Sequence, residues 1–170
     1  NQEALDRGMA IIRGNYEGPV KKGKMTQAQM DACMALITPT LKYEDIASAD
    51  LVIEAATADE ATKRKIFSTL CGSLKPDALI ATNTSSISIT RLAASTDRPE
   101  RFIGIHFMNP VPVMQLVELI RGIATEDPTY ESAKAFIAKL GKTSTMSEDF
   151  PAFRLSRILR PLVNEALYTL

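Results

Sequence analysis

Two short apolar runs, separated by one helix-length amphipathic segment, constrain this chain most. Leu51-Val52-Ile53 is a continuous apolar run closed by Glu54-Ala55-Ala56, and Ala78–Thr82 is a second. Between them, Asp59–Leu74 carries Thr62, Ile66, Leu70 and Leu74 on one stripe, and Pro76-Asp77 then turns the chain. Unbroken apolar runs predict strands covered on both faces. Parallel neighbours need a crossover of about a dozen residues or more, and a helix supplies it.

The rhythm continues downstream. Ser88 or Thr90 opens a short helix ending near Ala94, Phe102–Phe107 is a third strand and Gln115–Ile120 a fourth. Glu126–Leu140 is a helix that stops at Gly141, and Phe153–Leu170 is a last helix. Its apolar face is Leu155, Ile158, Leu159, Leu162, Val163 and Ala166. Upstream, Leu5, Met9, Ile12 and Tyr16 mark a helix over residues 1–16 that Gly18-Pro19 ends or bends. Thr26 caps a second helix with Met30, Cys33, Met34 and Ile37 on one side. A brief strand and a helical turn over Tyr43–Ala47 follow. Alternating strands and helices predict a doubly wound, mostly parallel α/β sheet.

Composition removes several function classes. Lys plus Arg and Asp plus Glu both number 20, so there is no basic surplus of the kind that neutralises nucleic-acid phosphates. The two cysteines, Cys33 and Cys71, fit no metal spacing and read as reduced, partly buried thiols. One histidine cannot build a His-rich metal site, so no metal is expected. No apolar run approaches the ~20 residues of a membrane helix, and no signal peptide opens the chain. A cytoplasmic protein is expected, with a start upstream of Asn1. The basic cluster Lys21, Lys22 and Lys24 either faces solvent or meets phosphates.

Candidate chemistry clusters where ligands bind open α/β sheets, beyond the carboxyl ends of strands. Thr82-Asn83-Thr84-Ser85-Ser86 follows the second strand, and His106-Phe107-Met108-Asn109-Pro110 the third. Histidine exchanges its proton near neutral pH, and a carboxylate beside an imidazole fixes its tautomer. Glu118, on the next strand, is that carboxylate if the loop with Pro110 and Pro112 returns the chain alongside. On spacing alone His106 reads first as a structural histidine and Ser85 as a helix cap, while Glu118 is as well a solvent-facing strand residue and Asn109 a turn residue. No two glycines are spaced as GxG, so periodicity alone does not identify a nucleotide binder.

The longer runs settle the class. Ala81-Thr82-Asn83-Thr84-Ser85-Ser86-Ile87-Ser88-Ile89-Thr90 closely resembles the 3-hydroxyacyl-CoA dehydrogenase family. So do Arg101–Met114 with Leu116-Val117-Glu118, Asp50–Ala56, and the junction Asp149-Phe150-Pro151. The resemblance implies a Rossmann-like domain over 1–150 without its first β-α-β unit, and the first helix of an all-α C-terminal domain over 151–170. It implies NAD as cofactor and oxidation of a 3-hydroxyacyl-CoA, of the 3-hydroxybutyryl type, to the 3-ketoacyl-CoA or the reverse, in fatty acid β-oxidation. His106 is then the general base, Glu118 its partner and Ser85 a ligand of the substrate oxygen. Lys63 and Asn83 lie at the cofactor, and Asn109 and Ser156 at the substrate. The full-length protein is expected to be a homo-oligomer.

Some positions depart from the family pattern. Ala58 replaces a cofactor-contacting Glu, Ser156 a substrate-contacting Asn, and Arg154 and Arg160 stand at apolar positions. A non-catalytic acyl-CoA-binding or oligomerisation module derived from the family is therefore the alternative.

Overall fold

The computed structural model describes residues 1–169. They form two compact units, Asn1–Ile46 and the residues from Ala47 on.

The first unit is helical. α1 (Gln2–Lys21) starts under Asn1, whose side chain accepts from the Ala4 amide. It runs through Pro19 rather than breaking there. Proline removes one i→i−4 bond, and in a last turn that loss is small. Leu5, Met9, Ile12 and Tyr16 are half-buried, as their spacing predicts. α2 (Gln27–Ala35) opens with a capping box between Thr26 and Gln29, and Met30 is its buried residue. The strand expected after Thr40 is not formed; a 3-10 turn covers Tyr43–Ile46.

The second unit holds a five-stranded sheet in the order β1-β2-β3-β4-β5. The strands are β1 (Leu51–Glu54), β2 (Leu79–Thr82), β3 (Phe102–Phe107), β4 (Leu116–Arg121) and β5 (Thr143–Glu148). β1, β2 and β3 are mutually parallel, β4 is antiparallel to β3, and β5 is parallel to β4. The short 108–115 loop cannot cross over, so it returns the chain antiparallel. β5 escapes a sequence reading because Thr-Ser-Thr-Met-Ser-Glu buries only Ser147 and lies on an edge of the sheet. β1 is half-buried rather than covered on both faces, being the other edge among the described residues.

α3 (Glu60–Ser73) is capped by Asp59, which accepts from the Thr62 amide. Its buried stripe is Lys63, Phe67, Leu70 and Leu74, one position off the expected Thr62 and Ile66. A lysine on that stripe hides it from a hydrophobicity reading. Phe67 packs edge-on to Phe102, ring centroids 5.0 Å apart. α4 (Ile89–Ala93) is capped by Ser88. α5 (Asp127–Lys139) ends at Gly141, whose φ of +70° suits glycine. Ile103, Ile105, Val117, Leu119 and Ile137 form the sheet–helix core. Each is worth about 1.5–3 kcal/mol on burial. Gly104 is required in β3, since a Cβ there would lie 2.8 Å from Ile89 and 2.9 Å from Ile120.

α6 (Leu155–Tyr168) begins two residues later than expected, because Ala152 and Phe153 adopt left-handed backbone at φ 65° and 50°. Ile158, Leu159, Leu162, Val163 and Leu167 on α6 are exposed. No described helix is long and apolar enough to cross a membrane.

Candidate active site

The carboxyl ends of β1, β2 and β3 open on a cleft of about 330 Å³. Its wall includes Ala56, Ala58, Asn83, Ser85, His106 and Asn109. Four of the residues singled out in the sequence, Asn83, Ser85, His106 and Asn109, thus meet in one place.

His106 and Glu118 are directly opposite in the β3–β4 register. His106 Nδ1 lies 2.9 Å from Glu118 Oε2. Glu118 is fully buried, and the His106 side chain keeps 13% exposure. A carboxylate only accepts, so with Glu118 ionised the imidazole carries its proton on Nδ1 and leaves Nε2 as an acceptor. The second oxygen, Oε1, accepts from the Leu155 amide at 2.8 Å, at the first residue of α6. Both oxygens of the buried carboxylate are therefore satisfied.

Local turns present the remaining groups. Asn83 Oδ1 accepts from the Phe107 amide at 3.0 Å and ties the end of β2 to the end of β3. Thr84 Oγ1 accepts from the Ile87 amide at 3.2 Å, which shapes the loop bearing Ser85. Helix capping falls to Ser88, and no hydrogen bond among the described residues occupies the Ser85 hydroxyl. Asn109 is exposed at the rim. Its loop is held by Lys142, whose Nζ donates to the carbonyls of Val111 and Met114 at 2.7 Å each.

Two candidates sit away from the cleft wall. Lys63 is fully buried, its ammonium against Glu54 Oε2 and, at 3.3 Å, Thr82 Oγ1. Glu54 also accepts from the Thr82 hydroxyl at 2.8 Å and from the Ala56 amide at 2.7 Å. Burial alone would raise the Glu54 carboxyl, but the bonds from Lys63, Ala56 and Thr82 together hold it below its ordinary value. Ala56 is part of the cleft wall, so Lys63 reaches the cleft through Glu54. Ser156 is half-buried in the first turn of α6, next to Leu155.

Sequence reasoning gave no site role to Glu54, Thr82, Asp149 or Phe153, although the first three lie in segments it singled out. A signal for the first existed: an acidic residue ending an apolar strand, with a lysine in register with Phe67, Leu70 and Leu74. Asp149 accepts from Ser88 Oγ (2.7 Å) and from the amides of Ile89 and Thr90 (2.8 Å each). Burial alone would raise its carboxyl, but these bonds together lower it. It fastens the chain after β5 to the start of α4.

The cleft suits the reacting end of a nicotinamide cofactor. Small side chains at Ala55, Ala56 and Ala58 leave space, and Asn83 and Thr84 offer polar groups. No GxG spacing for a pyrophosphate occurs in the chain.

Comparison with known proteins agrees. Residues 1–150 match the sequence profile of the 3-hydroxyacyl-CoA dehydrogenase NAD-binding domain. A 3-hydroxybutyryl-CoA dehydrogenase from Bradyrhizobium diazoefficiens is 59% identical over 168 residues, covering 99% of this chain and 57% of that protein. The crystal structure of (S)-3-hydroxybutyryl-CoA dehydrogenase PaaH1 from Ralstonia eutropha superposes with a TM-score of 0.95 at 44% identity, covering 98% of this chain and 59% of that one. Mycobacterium tuberculosis FadB2 gives a TM-score of 0.95 at 36% identity, covering 99% and 60%. The chain thus spans under two thirds of the length of these relatives.

Proposed function

Because this chain belongs to the 3-hydroxyacyl-CoA dehydrogenase family through that family's NAD-binding domain, we propose that the protein carrying it interconverts a 3-hydroxyacyl-CoA, of the 3-hydroxybutyryl type, and the 3-ketoacyl-CoA. The observation that carries this reading is the His106–Glu118 pair, 2.9 Å apart, with the imidazole at the cleft.

His106 acts as general base. Its Nε2 takes the proton of the 3-hydroxyl, and Glu118 stabilises the resulting imidazolium across Nδ1. The Ser85 hydroxyl donates to the substrate oxygen as it gains carbonyl character, and Asn109 and Ser156 serve the substrate side. Asn83 borders the cofactor side, where Lys63 contributes by holding Glu54 and, through it, the Ala56 wall. NAD, when bound, supplies the acceptor for the hydride that leaves C3. In the reverse direction His106 returns the proton. Residues 1–150 are the NAD-binding part and 151–170 the start of a helical domain, in a cytoplasmic homo-oligomer of fatty acid β-oxidation.

The test is NADH-linked turnover with acetoacetyl-CoA. His106→Gln is expected to lower turnover by about 10²–10⁴-fold, the usual worth of a general base, with the melting temperature nearly unchanged. Undiminished turnover in that variant removes His106 from the mechanism. A wild-type protein without turnover that still binds acyl-CoA supports the non-catalytic module instead.

A further inference from the structure

The turn that joins β5 to α6 is built around the imidazole. Ala152 and Phe153 are consecutive non-glycine residues in left-handed backbone, at φ 65° and 50°. L side chains rarely adopt that region, and such residues persist only where their surroundings over-determine them. The surroundings here are identifiable. Asp149 fastens the turn on one side through Ser88, Ile89 and Thr90. The Leu155 amide fastens it on the other, donating to Glu118 Oε1 at 2.8 Å. Between these anchors the Phe153 side chain turns inward, 2% exposed, while its neighbour Arg154 is exposed. The Phe153 ring meets the imidazole of His106, centroids 6.3 Å apart and planes tilted by 59°.

We propose that Phe153 is a positioning residue for the His106–Glu118 pair: its ring and the Leu155 amide fix the imidazole's placement and the carboxylate's orientation, so the turn sets which ring nitrogen faces the cleft. The role rests on reading His106 as the base. Its physical content does not need turnover. Oε1 of Glu118 accepts from the Leu155 amide, which turns Oε2 toward Nδ1, and the Phe153 ring lies beside the imidazole, centroids 6.3 Å apart. Facing an ionised Glu118, an imidazole so held keeps its proton on Nδ1. Without the ring it can tilt off Oε2, and the other tautomer gains population.

His106 is the single histidine, so its ring nitrogens are observable without ambiguity. The experiment is a long-range ¹H–¹⁵N correlation on ¹⁵N-histidine-labelled protein, at a pH where the ring is neutral. The wild type is expected to hold about nine tenths of the ring in the Nδ1–H form, and Phe153→Ala to reduce this to about half. Phe153→Leu, which keeps an apolar side chain in the same place, is expected to fall between them. If Phe153→Ala does not fold, Phe153→Leu decides the matter alone. A wild-type tautomer ratio in whichever folded variant is measured overturns the proposal. The dehydrogenase reading fails on different grounds, by absent turnover in the wild type, which this measurement does not consult.

Discussion

Glu54 and Glu118 are both buried carboxylates at strand positions of one sheet, each facing a nitrogen base, and they sit in opposite surroundings. Glu54 meets Lys63, which is sealed from solvent, and its remaining bonds go to Thr82 and Ala56. Glu118 meets His106, which keeps an exposed edge on the cleft. A lysine without solvent access has only its protein partners, here Glu54 and Thr82, to bond with. An imidazole at a cleft can pass a proton through its second nitrogen. Exposure and the partner's chemistry, not the carboxylate, are what distinguish the two pairs.

The sharpest way to break this comparison is to remove one partner from each pair. Lys63→Met leaves Glu54 buried and uncompensated, and should cost about 3–5 kcal/mol in urea unfolding. Adding Glu54→Met should recover most of that loss, since an apolar pair needs no solvation. At the open site, Glu118→Gln should cost only about 1–2 kcal/mol, because the amide can still accept from Leu155 and reach the imidazole. It forces the wrong tautomer, however, so turnover should fall about 10²–10⁴-fold. Equal stability losses at the two sites would erase the distinction.

A third carboxylate sharpens it. Asp149 is lowered below the ordinary aspartate value, despite burial, by its bonds to Ser88, Thr90 and Ile89. Its stabilisation is therefore full above the unfolded value of about 3.9 and is lost as pH falls through the lower folded value. Asp149→Asn should cost about 1–2 kcal/mol at neutral pH and flatten stability against pH below about 4. Acid unfolding curves that coincide for the two proteins would assign that slope elsewhere. Ala152→Gly should act in the other direction, relieving left-handed strain by about 1 kcal/mol and raising the melting temperature. The smallest effect is expected on α6, where Leu162 is 66% exposed, so Leu162→Ser should change this chain's stability by less than about 0.5 kcal/mol.

The strands β1 to β4 and the extents of the helices α3 to α5 were legible in the sequence, because apolar runs and turn residues are local, although the buried stripe of α3 was read one position off. Thr26, Asp59 and Gly141 stop or start helices where their residue types predict. β5 was not legible, since a polar edge strand has no face that must be apolar. Of the site, Asn83, Ser85, His106 and Asn109 were placed at one strand-end cleft, and Glu118 behind the histidine. The Lys63–Glu54 pair was hidden because a buried charge imitates a surface one until its partner is located.

What the sequence determined alone is therefore the alternation of elements and the family to which the runs around Ser85 and His106 belong. Both are written in residues adjacent along the chain. Tertiary structure decided what depends on residues brought together from afar. It set Leu155 against Glu118 across 37 positions and Asp149 against Ser88 across 61. Such pairings follow from how the elements pack, and no local pattern of polarity encodes which two chain-distant groups will share a hydrogen bond.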